Sequence, residues 1–225
     1  MSQVKKRKKR ASITKKPPPG SAPPGKFPTA WVVGGVVALG LIALIISSLG
    51  PTGDAADEYG TPVVTGQALA THMDETPATD PTVGQPIPEV VGADWDGNEV
   101  SILRDGTAKA IVFLAHWCPH CQREVPAVAA YLDAAQLPSG LEILSVATSI
   151  DPVRTNYPPS AWLEREGWQP PVLMDDAAST VAAAFGLRAF PYWVFVDGNG
   201  NVVRRFSGET DPAALASWLV EAASA

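Results

Sequence analysis

The spacing of apolar and polar positions divides the chain into one long apolar span, a polar stretch and a region of short alternating elements. Residues 31 to 46, WVVGGVVALGLIALII, carry no charge, and extension through Leu49 gives a stretch long enough to cross a bilayer as a helix. Residues 51 to 82 are rich in Pro, Thr, Gly, Ala and Asp with Tyr59 as their one aromatic residue, a composition that buries too little apolar surface to fold alone. From Val83 the texture changes. Ala110–Ala115 and Leu141–Ala147 read as buried strands, and Val172–Met174 as a shorter one. Between them, Pro119 to Ala135 places Val125, Val128, Ala129 and Leu132 at helical spacing, Ser160–Glu166 suggests a short helix, and Ala177–Phe185 is Ala-rich and helical. Tyr192–Val196 and Val202–Phe206 flank Asp197-Gly198-Asn199-Gly200, a hairpin signal. Asp211 then caps a last helix with Pro212 in its first turn and Leu215, Trp218 and Leu219 on one face. Strands alternating with helices predict an α/β domain built on a mixed central sheet flanked by helices.

Charge changes this picture at the N-terminus. Nine Lys/Arg and no Asp/Glu precede residue 30, whereas the part after residue 50 has eight Lys/Arg against 23 Asp/Glu, a formal charge of −15. The expected organisation is a basic cytoplasmic tail over 1–29, a transmembrane signal anchor over 30–49, a flexible extracytoplasmic linker over 50–82 and a folded domain over 83–225. The Lys5–Arg10 cluster on the N-terminal side of the span predicts a cytoplasmic N-terminus, which puts the domain outside the cytoplasm of a single-pass cell-membrane protein. The small residues near Asp54-Ala55-Ala56 leave a cleaved signal peptide open, but the long basic region and long apolar stretch favour an uncleaved anchor. An acidic domain argues against nucleic acid as a partner.

The chain has two cysteines, Cys118 and Cys121, so they staple no distant loops. They follow an apolar strand and open a helix. Unsatisfied N–H groups and about half a positive charge at a helix start favour a thiolate. Cys118 is therefore the expected nucleophile, with its acidity raised, and Cys121 the sulfur one turn in that resolves a mixed disulfide. Pro119 fits the first turn, where its missing N–H is harmless. An imidazolium at His120 beside the outer sulfur would stabilise the thiolate further and make the disulfide more oxidising. A zinc site from His116, Cys118, His120 and Cys121 is disfavoured because ligands so close in sequence rarely reach one tetrahedral centre. Gln122 stands where c-type haem attachment needs His, and neither a metal nor another cofactor is expected.

Residues 83–225 resemble the thioredoxin superfamily, and within it the membrane-anchored TlpA/ResA-like redoxin group. The resemblance rests on Val83-Gly84-Gln85-Pro86-Ile87-Pro88 and Asp96-Gly97-Asn98-Glu99-Val100-Ser101, similar to that group's N-terminal hairpin extension. It rests also on Phe113–Cys121, on Glu124 and Pro126 in a Cys-x-x-Cys-x-x-Glu-x-Pro run, and on Phe190-Pro191 at the place of a cis-proline loop. It implies a thioredoxin-like fold, a cis Pro191 packed against the cysteine pair, a kink at Pro126, and a proton-moving role for Glu124. A solvated carboxylate at Glu124 is the plain alternative. Val112 stands where thioredoxin has a buried Asp, which shifts weight to Glu124 or water. Pro119-His120 resembles the dipeptide of the oxidase DsbA rather than that of TlpA or ResA. Phe190 and Tyr192, with Trp117, are expected to line an apolar substrate groove, whereas Trp193 and Phe195 are expected in the core.

These readings imply a thiol–disulfide oxidoreductase acting on cysteine-containing extracytoplasmic proteins and reset by a membrane or soluble redox partner. The dipeptide favours disulfide formation. The group favours a reductase, for instance of apocytochrome cysteines, and a non-catalytic peptide-binding adaptor is a rival of another class. A peroxidase is disfavoured because Ala115 replaces the Thr of its usual Thr-x-x-Cys arrangement.

Overall fold

The computed structural model describes residues 58–72 and 78–225. The expected basic tail and membrane anchor lie outside the described residues. The elements run β1 (Val63–Thr65), β2 (Glu89–Ala93), β3 (Glu99–Ile102), β4 (Ala108–Leu114), α1 (Pro119–Ala134), β5 (Leu141–Ala147), α2 (Pro159–Arg165), β6 (Val172–Met174), α3 (Thr180–Ala184), β7 (Tyr192–Val196), β8 (Val202–Ser207) and α4 (Pro212–Ser224). They form a five-stranded sheet in the order β6-β5-β4-β7-β8 and a three-stranded sheet in the order β1-β2-β3. In the larger sheet β4, β5 and β6 are parallel, joined through helices, and β7 and β8 are antiparallel, as the hairpin signal requires. The mixed sheet flanked by helices is the architecture expected from the alternation of elements.

β4 is central and buried along its whole length. Its period of two splits the core. Ile111 and Phe113 pack with Leu144, Val146, Tyr192 and Val194 on one face, under α3 and the small sheet. Ala110, Val112 and Leu114 pack with Val125, Trp193, Phe195 and Leu215 on the other, under α1, α2 and α4. Lys109, at the start of the strand, is buried with its ammonium 2.6 Å from Asp105 and 3.9 Å from Glu142, which compensates a charge otherwise costly to desolvate. Asp211 accepts bonds from the N–H groups of Ala213 and Ala214 and so caps α4 as expected.

The expected boundary at Val83 is corrected by the structure. The described part of 58–82 is folded onto the domain. β1 pairs with β2 in the register Val63↔Val91. Leu69 N–H donates to the Ala184 carbonyl (2.8 Å), His72 N–H to that of Gly186 (2.9 Å) and Gly60 N–H to that of Asp175 (2.9 Å). Gly186 has φ +73, and a Cβ there would collide with the carbonyl of Ala70, so glycine is what lets the strap lie this close. The strap is fixed by charge. Arg205 of β8, fully buried, donates Nε and Nη2 to the two oxygens of Asp80 (2.7 and 2.6 Å) and Nη1 to the Ala70 carbonyl (2.7 Å). Composition foretells none of this, because backbone pairing and one buried ion pair replace the apolar surface the segment lacks.

Burial alone would raise the Asp80 carboxyl, but the Arg205 guanidinium and the Thr82 N–H and hydroxyl outweigh it and hold it at about 2. Its contribution to stability is therefore present above the ordinary carboxylate range and is lost as pH falls through about 2. Substitution D80N leaves Arg205 buried without its counter-charge and should cost about 3 kcal/mol in urea unfolding at neutral pH.

Candidate active site

The site forms where β4 gives way to α1. Cys118 N–H donates to the Ala115 carbonyl (3.0 Å), a turn that reverses the chain, and the Cys118 carbonyl accepts the first helical bond, from Gln122 N–H (3.0 Å). Cys118 is the N-cap of α1 and Pro119 its first residue, so the free N–H groups of the first turn converge on the sulfur. Cys118 is 6 % exposed and Cys121 fully buried, and both are free thiols. The Phe190–Pro191 peptide is cis, and the Phe190 carbonyl lies 3.9 Å from the Cys118 sulfur.

The two sulfurs differ sharply in acidity. Cys118 is lowered to about 5, chiefly because the Cys121 thiol donates a hydrogen bond to its sulfur. Burial opposes the shift, and the N–H groups of Cys121 and His120 and the charge of His120 add to it. Cys121 is pushed far above an ordinary thiol, first by burial and then by its bond to Cys118. This sharpens the expected role of His120. Its ring turns toward Glu209, with Nδ1 at 2.5 Å from the Glu209 carboxylate, and its charge is the smallest contribution to the Cys118 thiolate. Arg123 grips the same Glu209 through Nε (3.0 and 3.2 Å) and Nη2.

Glu124 is not a solvated helix-face carboxylate. It is 3 % exposed, it lies 3.3 Å from the indole N–H of Trp193 through each oxygen, and it accepts the Thr210 N–H at 2.8 Å. Burial raises its carboxyl to about 7, against the pull of these two donors. Val112 and Cys121 share one apolar cluster, so the protonatable group beside the inner thiol is supplied by the helix and not by the strand. Pro126 sits within α1, where its ring removes one backbone bond.

Trp117 is half-buried and its indole N–H donates to the Ser149 carbonyl (2.7 Å), while its ring meets Phe190 edge-on at 5.9 Å. These two rings adjoin Cys118. Tyr192 does not, which corrects its expected place in the groove. It is 0 % exposed, its hydroxyl donates to the Phe185 carbonyl (2.8 Å), and its ring packs on Phe113. The alternation of β7 sends Tyr192 to the face opposite Trp193, away from the cysteines. Trp193 and Phe195 are core residues, as expected.

Sequence reasoning missed the segment Gly208–Thr210, which precedes the foreseen cap Asp211. Gly208 N–H donates to the Pro191 carbonyl (2.8 Å), Glu209 holds His120 and Arg123, Thr210 holds Glu124, and Asp211 caps α4. The three consecutive residues Gly208–Thr210 thus brace the proline loop, the cysteine helix and its buried acid. Only the cap has a local signal; the contacts of Glu209 and Thr210 join positions 86 to 89 residues apart.

Two tests follow. Thiolate absorbance of the reduced protein should titrate with a midpoint near 5, C121A should raise that midpoint, and H120A should raise it less. Glu124 binds its proton more tightly in the folded state, so its contribution to stability is present below the ordinary carboxylate value and is lost as pH rises through about 7. Denaturant titrations across that range should show wild type losing stability relative to E124Q.

The redoxin family profile matches residues 82–218. Among solved structures, StoA of Bacillus subtilis aligns at 17 % identity over 61 % of this chain and 98 % of its own, with a TM-score of 0.50. A thiol:disulfide interchange protein of the thioredoxin family from Chlorobium tepidum aligns at 23 % identity over 61 % of this chain and 94 % of its own, TM-score 0.50. The thioredoxin domain of a thiol-disulfide oxidoreductase from Bacteroides vulgatus aligns at 21 % identity over 60 % and 95 %, again at 0.50. No curated protein matches. At these identities the structural likeness speaks to the fold, which is thioredoxin-like, and the profile to the family: the chain belongs to the redoxin family.

Proposed function

We propose that the protein is an extracytoplasmic thiol–disulfide oxidoreductase, held at the cell membrane by its 30–49 span, that exchanges the Cys118–Cys121 pair with cysteine-containing proteins and runs toward disulfide formation. The observation that carries this reading is the unequal pair itself: an acidic sulfur at a helix start, hydrogen-bonded by a second, buried thiol of very weak acidity. Such a pair has one sulfur fit to be attacked or to leave, and one fit to resolve. The apolar span, its basic flank and the family support the rest.

In the oxidising direction a substrate thiolate attacks the Cys118 sulfur of the disulfide. The sulfur–sulfur bond to Cys121 breaks and Cys121 leaves as a thiolate. Because burial makes that anion costly, it takes a proton at once, and Glu124, poised at about 7, is the group that supplies it. A second substrate thiolate then attacks the substrate's own sulfur in the mixed disulfide and releases Cys118 as a thiolate. The substrate has lost two electrons and the cysteine pair has gained them. A redox partner must remove those electrons before the next turnover.

The stability of the reduced pair supports this direction. A thiolate held at about 5 makes Cys118 a good leaving group and makes the dithiol the favoured state, so the disulfide oxidises other thiols. A neutral thiol in its place would favour the disulfide and a reductase. Trp117 and Phe190 flank the sulfur and are the surface against which a substrate segment rests.

Equilibration of the full chain with glutathione should give a potential nearer about −120 mV than about −270 mV, the values of a strong oxidase and of thioredoxin. A value at the thioredoxin end would reverse the direction. C118S should abolish exchange with reduced, unfolded ribonuclease; retained partner binding with no exchange in wild type would leave an adaptor.

A further inference from the structure

His116 precedes Trp117 and Cys118, and the exchange chemistry proposed above has no use for it. Its ring is fully buried, yet both nitrogens are engaged by one surface loop. Nε2 accepts the Asp151 N–H (3.2 Å), so it carries a lone pair; the ring proton is then on Nδ1, 2.8 Å from the Thr155 carbonyl that accepts it. The His116 carbonyl accepts from the side-chain amides of Gln122 (2.9 Å) and Asn156 (3.4 Å), and the Trp117 indole reaches Ser149 at the near end of the same loop. The two residues before the reactive cysteine thus hold both ends of Ser149–Asn156. Both end residues lie in the left-handed region, Ser149 at φ 50 and Asn156 at φ 60.

What the loop presents is a wall beside the sulfur. Arg154 stacks over the Trp117 ring at 5.0 Å and pairs with Asp151 at 3.4 Å. Beside it Val153 is 91 % exposed, the most exposed large apolar side chain of the described residues. Trp117 meets Phe190, whose carbonyl lies by Cys118. Arg154, Trp117 and Phe190 therefore form one strip that ends at a sulfur almost hidden from solvent, and Val153 adjoins Arg154 in the chain with its side chain open to solvent. A polypeptide sulfur that reaches Cys118 brings its flanking residues against that strip, whereas a small thiol touches little of it.

We propose that His116 is a positioning residue for substrate selection: it holds the Ser149–Asn156 loop so that Val153 and Arg154 extend the Trp117/Phe190 surface for an extended polypeptide segment carrying an apolar side chain next to its cysteine. This rests on the exchange reading above. The chemistry at the sulfurs does not pass through His116, so it acts on the encounter with a polypeptide and not on the redox pair.

The test uses the oxidised full chain in detergent with three probes: two dithiol peptides alike except for Leu or Ser beside the first cysteine, and dithiothreitol. Wild type should show a KM roughly tenfold lower for the Leu peptide, the order of one apolar contact. V153S and H116A should lose that preference with the dithiothreitol rate and the glutathione potential unchanged, and H116N, which keeps a donor near Nδ1, should recover part of it. An undiminished preference in V153S, or an H116A that slows dithiothreitol as much as peptide, overturns the proposal. Val153 makes no packing contact that its loss could unfold, so V153S decides the matter even where H116A is unstable. A wild type inert toward all three probes fails differently: it overturns the exchange reading itself.

Discussion

The site depends on a hydrogen bond between two cysteines that the fold solvates unequally. At the start of α1 the outer sulfur meets free backbone N–H groups and the thiol of its partner, all of which favour an anion. One turn further in, the inner sulfur lies in an apolar cluster with Val112, Val125 and Trp193, where an anion finds no support. The bond between them deepens both effects. It lowers Cys118 by donating to it and raises Cys121 because the proton is already in use. Without that bond Cys118 loses its largest stabilisation, whereas Cys121 stays raised by burial.

The rest of the domain holds this asymmetry in place. β4, buried on both faces, fixes the direction in which α1 leaves, and the turn at Ala115–Cys118 sets which sulfur sits at the helix start. Gly208–Thr210 reaches across from the far hairpin and binds the proline loop, the helix and its buried acid together. The strap over 58–72 and 78–82 closes the opposite face through Asp80 and Arg205, which shields Tyr192 and the core below the proline loop. The same buried surroundings that make Cys121 weakly acidic raise Glu124, so both groups hold their protons for one cause.

His120 shows how local pattern and tertiary geometry divide the work. Its place between the cysteines marks it as a stabiliser of the thiolate, and its charge does act in that sense. Yet its ring is exposed and tied to Glu209 and Arg123, so backbone donors and the second thiol outrank it. A charge in solvent is screened, whereas a donor one bond away in a protected pocket is not.

The cysteine pair, the strand before it and the helix after it were legible in the chain, because apolar runs, helical spacing and the Cys-Pro-His-Cys placement are local signals. The hairpin at Asp197–Gly200 and the cap at Asp211 are of the same kind. That residues 58–72 and 78–82 belong to the domain is visible in the tertiary contacts alone, since composition cannot register a strand pairing or an ion pair to a residue 125 positions away. The tertiary structure decided the place of Tyr192 as well, for a strand's alternation says that Tyr192 and Trp193 face opposite ways but not which face meets the cysteines. And it decided the burial of Glu124, the grip of Glu209 on His120 and the hold of His116 on the loop beside Cys118. Each of these joins residues distant in the chain through backbone donors or polar side chains that leave no periodic trace in the sequence.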